Sequence, residues 1–136
     1  MYMVAKDMLP SRIIEEGLRI EVYPAAEVPE RYIEQLVQKS RQPHVMKYEG
    51  HEDAGGRFKD LKSYREWAGS KERIVYLLLS ENDDIGGIIW FGERENPAAP
   101  GYDVTFGIRL YEGYVGKGLA VPLMQATHAD AAKHFP

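Results

Sequence analysis

The stretch Tyr102 to Lys133 reads YDVTFGIRLYEGYVGKGLAVPLMQATHADAAK. Its first ten residues alternate. Tyr102, Val104, Phe106, Ile108 and Leu110 fall on one side of an extended chain, and Asp103, Thr105, Gly107, Arg109 and Tyr111 on the other, the pattern of a half-buried β-strand. Its second half has helical spacing, with Leu119 or Ala120, Leu123, Met124, Thr127 and Ala131 as an inward stripe; Ala126, Ala129 and Ala132 add helix propensity. Pro122 is tolerated only in the first turn, so the helix begins near Gly118 or a residue or two later. Between strand and helix lies Val115-Gly116-Lys117-Gly118-Leu119-Ala120. Glycines at such a junction let backbone N–H groups close around a phosphate, and the helix N-terminus adds a favourable field. A tight turn that binds nothing explains the same six residues equally well.

Upstream, Leu18 to Tyr23 alternates apolar and charged residues, as a strand does, and Pro24 ends it. Pro29 suits the start of a helix in which Tyr32, Ile33, Leu36 and Val37 recur at helical spacing to about Ser40. From Arg41 to Phe58 the pattern dissolves into a polar stretch punctuated by Pro43, Gly50, Gly55 and Gly56, which predicts a long loop. Asp60 is placed to cap a short helix with Leu61, Tyr64 and Trp67 or Ala68 facing inward. Three strands follow. Arg73 to Ser80 is apolar on both sides and therefore central, covered on two faces. After a tight turn at Glu81–Asp84 comes Ile85 to Phe91, where Gly86 and Gly87 suggest a bulge or a close backbone approach. A second turn, Asn96 to Gly101, leads to the strand quoted first. Connections this short make the three strands an antiparallel meander. The expected fold class is α/β in the α+β sense: a mixed, mainly antiparallel sheet flanked by helices, in one domain over residues 1–136.

Composition narrows the chemistry. A chain of 136 residues is one domain by default, and it buries roughly two thirds of its unfolded surface. The net charge of −4 argues against a general nucleic-acid binder. Cysteine is absent, which removes disulfide frameworks, thiolate zinc sites and cysteine nucleophiles. Charged residues break the first seventeen positions, so no secretory apolar run appears, and no stretch reaches membrane-spanning length. A cytoplasmic protein without nucleic-acid or membrane partners is the expectation.

Competing motifs fail on spacing. A Walker loop requires Ser or Thr after its lysine, where this chain has Gly118, and its first glycine is missing. A dinucleotide fingerprint requires a third glycine where Val121 stands. No G-x-S-x-G elbow is present. His44 and His51, with Glu49, Glu52 and Asp53 nearby, form no recognisable ligand pattern, and His128 and His134 lie six apart, so no metal is expected.

The order strand, helix, helix, three antiparallel strands, glycine turn and helix resembles the GNAT superfamily of N-acetyltransferases, over about Leu18 to His134. The family signature is [QR]-x-x-G-x-[GA] at the start of a helix. Gly118 and Ala120 match its last two fixed positions, Gly116-Lys117 is a common filling, and Val115 departs from the first. IGGIIWF looks like the family's third strand, and FGIRLYEGYVGKGLA like its fourth strand entering the cofactor loop. The resemblance implies acetyl-CoA as co-substrate and an amine-bearing acceptor, with direct attack of the amine on the thioester. Ile108 and Leu110 would hold pantetheine through backbone groups, a backbone N–H near Leu110 would polarise the thioester carbonyl, and Val115, Gly116, Lys117, Gly118, Leu119 and Ala120 would surround the pyrophosphate. An alkylammonium, with a pKa near ~10.4, must first lose a proton, so a base is expected. The resemblance implies an acid on the fourth strand, and Asp103 is the nearest candidate; an ordinary surface aspartate is its other reading. Glu93, Glu95 and Glu112 are further candidates, and Tyr102 and Tyr111 are possible substrate contacts. The acids Glu49, Glu52, Asp53 and Asp60 would favour a cationic acceptor.

A full domain of that family continues with a fifth strand, a further helix and closing strands beyond Pro136. The resemblance therefore implies a C-terminally incomplete domain, truncated after the cofactor-loop helix. An exposed edge on the fourth strand would invite pairing with another chain, a homodimer included. Three readings stand at this point: an N-acetyltransferase, a non-catalytic acyl-CoA-binding or regulatory module of the same fold, and an interaction domain whose glycine turn binds nothing.

Overall fold

The computed structural model describes residues 17–49, 57–70, 72–93 and 104–134. Four strands, β1 (Leu18–Pro24), β2 (Arg73–Ser80), β3 (Ile85–Glu93) and β4 (Val104–Leu110), form one antiparallel sheet in the order β1-β2-β3-β4. Four helices accompany it: α1 (Glu30–Lys39), α2 (Pro43–Glu49), α3 (Leu61–Ser70) and α4 (Ala120–Ala131).

The two-sided apolarity of β2 has the expected consequence. Val75, Leu77 and Leu79 point to one face and join Ile33 and Leu36 of α1 and Tyr64 and Ala68 of α3. Ile74, Tyr76 and Leu78 point to the other and join Leu119, with Leu123 and Ala131 of α4. A strand alternates faces at every residue, so only a strand buried on both sides is apolar at every position. The sheet is thus the middle of three layers, with α1 and α3 above and α4 below.

Local signals set the boundaries. The Pro29 carbonyl accepts the first bonds of α1, from Tyr32 and Ile33. Asp60 Oδ1 accepts the Ser63 N–H at 2.7 Å and caps α3; this bond holds the Asp60 carboxyl below its ordinary pKa. Pro122 occupies the first turn of α4, where its missing N–H is harmless. The turn between β2 and β3 closes with Asp83 N–H on the Ser80 carbonyl. Opposite that turn the β2–β3 register slips, Leu78 facing Gly87 and Leu79 facing Ile85, which leaves Gly86 as the extra residue of a bulge.

Two expectations change. The stretch from Arg41 is not all loop: Pro43 opens α2, and Val45 buries itself in the α1–α3 layer. Proline is preorganised for a first helical position, and seven residues are too few to show a clear periodic pattern. The second change concerns β4. Its side that reads as polar is the deeper one: Gly107 lies under the Trp90 ring, Arg109 is 5% exposed with its guanidinium 4.7 Å from the Phe58 ring, and Tyr111, which follows the strand, is fully buried. The face that reads as apolar carries Phe106 at 48% exposure. The aromatic group Phe58, Trp67 and Trp90, with edge-to-face centroids 5.2 to 5.7 Å apart, supplies the π faces that receive an arginine. Tyr64 and Trp67 belong to this core. Among the described residues no helix is long and apolar enough to cross a membrane.

Candidate functional site

β4 is an edge of the sheet among the described residues, and the register shows which of its backbone groups face outward. Tyr111 N–H donates to the Gly86 carbonyl at 2.9 Å, and Arg109 and Gly107 lie opposite Ile88 and Trp90. Backbone groups alternate direction along a strand, so the odd positions bond β3 and the N–H and C=O of Phe106, Ile108 and Leu110 point away from it. The Leu110 carbonyl accepts the His44 Nε2–H at 2.8 Å, in agreement with that direction. Two positions on, the Glu112 N–H donates to Gln42 Oε1, also at 2.8 Å. Gln42, just before α2, and His44, at its start, thus take up the Glu112 N–H and the Leu110 carbonyl that a neighbouring strand would otherwise meet at this end of β4.

Beyond β4 the chain turns sharply, with Tyr114 and Val115 N–H both on the Tyr111 carbonyl. Gly116 and Gly118 follow at φ of 81° and 75°. In that left-handed region a Cβ is strained, whatever room surrounds it, and here the room is open. The turn delivers the chain to α4, whose Leu119 N-cap has no side-chain bond to the first N–H groups. A helix start of this kind offers its amides to whatever anion comes near. Tyr114 anchors the turn. Its ring lies on the Gly86 bulge, where a Cβ would come within 2.5 Å of Cδ1, and its hydroxyl donates to Asp84 Oδ2 at 3.0 Å. Lys39 Nζ holds the other Asp84 oxygen at 2.9 Å. Burial and the bond to Asp84 raise the Tyr114 pKa, so the phenol stays a donor.

Edge, turn and α2 enclose a cavity of about 250 Å³, lined by His44, Val45, Ile108, Arg109, Leu110, Val115 and Ala120. Four of the residues expected at a cofactor site, Ile108, Leu110, Val115 and Ala120, therefore share one wall. Gly116, Lys117 and Gly118 are exposed on the turn beside it. Leu119 is 3% exposed and packs into the α4 layer instead, because the residue that starts a helix over a sheet faces its core. Asp103, Tyr102 and Glu95 lie outside the described residues, as do His51, Glu52 and Asp53. Asp60 caps α3, and Tyr111 is buried in the α1–α3 layer.

The sequence reading treated His44 only as half of a loop pair, without a place in this cavity. Pro43 as a first helical residue was the signal that puts His44 on a helix rather than in a loop. Asp130 carries no expectation from the sequence, and His134 enters there only in a pair with His128 whose spacing rules out joint metal ligation. Asp130 is 3% exposed and accepts the Tyr76 hydroxyl at 2.7 Å, with His134 Nε2 3.4 Å from the same oxygen. Burial and this bond raise the Tyr76 pKa. His128 stays at the surface, its ring edge-on to Phe91 and Phe106. Among the described residues no group of three His, Asp or Glu side chains is arranged to hold a metal ion. The chain matches no family model, no curated protein and no solved structure.

Proposed function

We propose that this chain is an acetyl-CoA-dependent N-acetyltransferase with an acyl-CoA N-acyltransferase-like fold, acting on a primary amine. One observation carries the reading: a mainly apolar cavity runs along the outward backbone of β4 and meets left-handed glycines and an uncapped helix start. That sequence of surfaces suits a molecule with an amide-bearing arm at one end and a pyrophosphate at the other. Outward groups of this edge would pair with the arm as an added strand does. The thioester lies at the arm's far end from the pyrophosphate, so the Ile108 N–H, farther from the turn than Leu110, would face its oxygen and stabilise charge developing there. Amides of Gly116 to Ala120 would meet the pyrophosphate, with Lys117 adding a solvated positive charge. Acetyl-CoA supplies an activated acetyl group; the chain positions it and relieves the acceptor of a proton.

Val115 supports a second reading, a non-catalytic acyl-CoA-binding module. It puts a half-exposed apolar side chain where the resembling family carries Gln or Arg. Thiol release from acetyl-CoA across a panel of primary amines decides between the two. Amine-dependent release is expected. CoA binding with no release above the uncatalysed rate would assign the chain to the binding module.

A further inference from the structure

We propose that His44 is the base that takes the proton from the incoming amine, an assignment that rests on the acetyl-transfer reading above. The Nε2 atom lies 2.8 Å from the Leu110 carbonyl oxygen, and a carbonyl only accepts, so Nε2 carries the ring hydrogen. In the neutral ring the lone pair is then on Nδ1. No described group bonds Nδ1, and in this half-buried residue it is not among the fully buried atoms that lack a partner. The ring itself forms part of the cavity wall. The β4 edge that would orient the acetyl group thus fixes the tautomer of His44 and would hold its ring near the reacting carbon.

The clasp and the base are separable roles. Gln42 already closes the strand edge at Glu112 from the same segment, and His44 adds a titratable ring at a contact that also lines the cavity. The charged side chain sharing that wall is Arg109 of β4; the adjoining turn carries Glu112 and Lys117, both exposed. In the step, the acceptor ammonium gives one proton to Nδ1. Its nitrogen forms the C–N bond to the acetyl carbon, and the C–S bond breaks with its electron pair passing to sulfur. A second proton from the nitrogen gives the free thiol, and His44 returns its proton to water. One proton is released overall, and no other reactant is needed.

His44→Gln keeps an N–H for the Leu110 carbonyl and removes the base. The test measures CoA affinity by calorimetry and turnover with two matched acceptors: an alkylamine acetylated by the wild type, and the alkoxyamine of the same shape, whose nitrogen arrives neutral. The expected result is unchanged CoA affinity, a loss of about 100-fold or more with the alkylamine, and little loss with the alkoxyamine. Imidazole nitrogen resonances of the wild type should show the Nε2–H tautomer and shift when CoA is added. Equal losses for both acceptors, loss of CoA binding in His44→Gln, or an Nδ1–H tautomer would each overturn the assignment of His44. A wild type that binds no CoA would instead remove the acetyl-transfer reading on which it stands.

Discussion

Asp130 is a carboxylate enclosed by the α4 layer, and it is tolerated there because the Tyr76 hydroxyl reaches it from β2. A buried acceptor that loses this donor keeps only the longer approaches of His134 and Lys133, so Tyr76→Phe should cost about 1–3 kcal/mol, read from denaturant unfolding. A loss under a few tenths of that range would mean that the bond is dispensable. The spacing of this site was present in the sequence: Leu123, Thr127, Asp130 and His134 recur at intervals of four, three and four, which is one helical face. Residue type conceals it, since an inward stripe is ordinarily apolar and two of its members are ionisable. Partner bonds such as Tyr76 to Asp130 join positions 54 apart in sequence, and no local pattern encodes them.

The elements were more legible than their attachments. Alternation marks β1 and β4, an apolar run marks the central β2, helical spacing marks α1, α3 and α4, and the paired glycines suggest a bulge or a close approach, of which the register shows a bulge at Gly86. What that bulge serves was not legible, because its partner ring, Tyr114, arrives from a turn almost thirty residues away. The bulge, Tyr114, Asp84 and Lys39 together tie the glycine turn to the β2–β3 hairpin and to α1. Tyr114→Phe removes one hydrogen bond and should cost about 1 kcal/mol in thermal or denaturant unfolding. Gly86→Ala places a methyl 2.5 Å from the ring and must displace it. It should therefore weaken CoA binding more than Tyr114→Phe does. Equal CoA affinity in wild type and Gly86→Ala would show that the anchor does not shape the turn. α2 is not legible for a related reason: seven residues are too short a stretch for helical periodicity to separate helix from loop.

At the scale of the whole molecule, a sheet covered on both faces buries its phenols along with its aliphatic core. Tyr23, Tyr64 and Tyr76 all have raised pKa values, with burial the main cause in each. The unfolded chain therefore gives up these protons first, near pH ~10, while the native protein still holds them. The unfolded state then binds fewer protons than the native one, so stability is full below that range and falls as pH rises through it. Alkaline titration should show tyrosinate absorbance from these residues appearing together with loss of native circular dichroism. Ionisation well before unfolding would contradict their burial. The same two-sided packing leaves β4 as an edge among the described residues, with outward amides at Ile108 and Leu110 beside the glycine turn, and the central claim rests on that edge. Calorimetric titration of the full chain with acetyl-CoA tests it most directly, run beside Gly118→Val, which forces a β-branched residue into the left-handed region at the turn. Saturable one-to-one binding by the wild type, weakened about tenfold or more in a Gly118→Val protein that still folds, is the predicted result. The absence of binding by the wild type, or equal binding by both proteins, would contradict it.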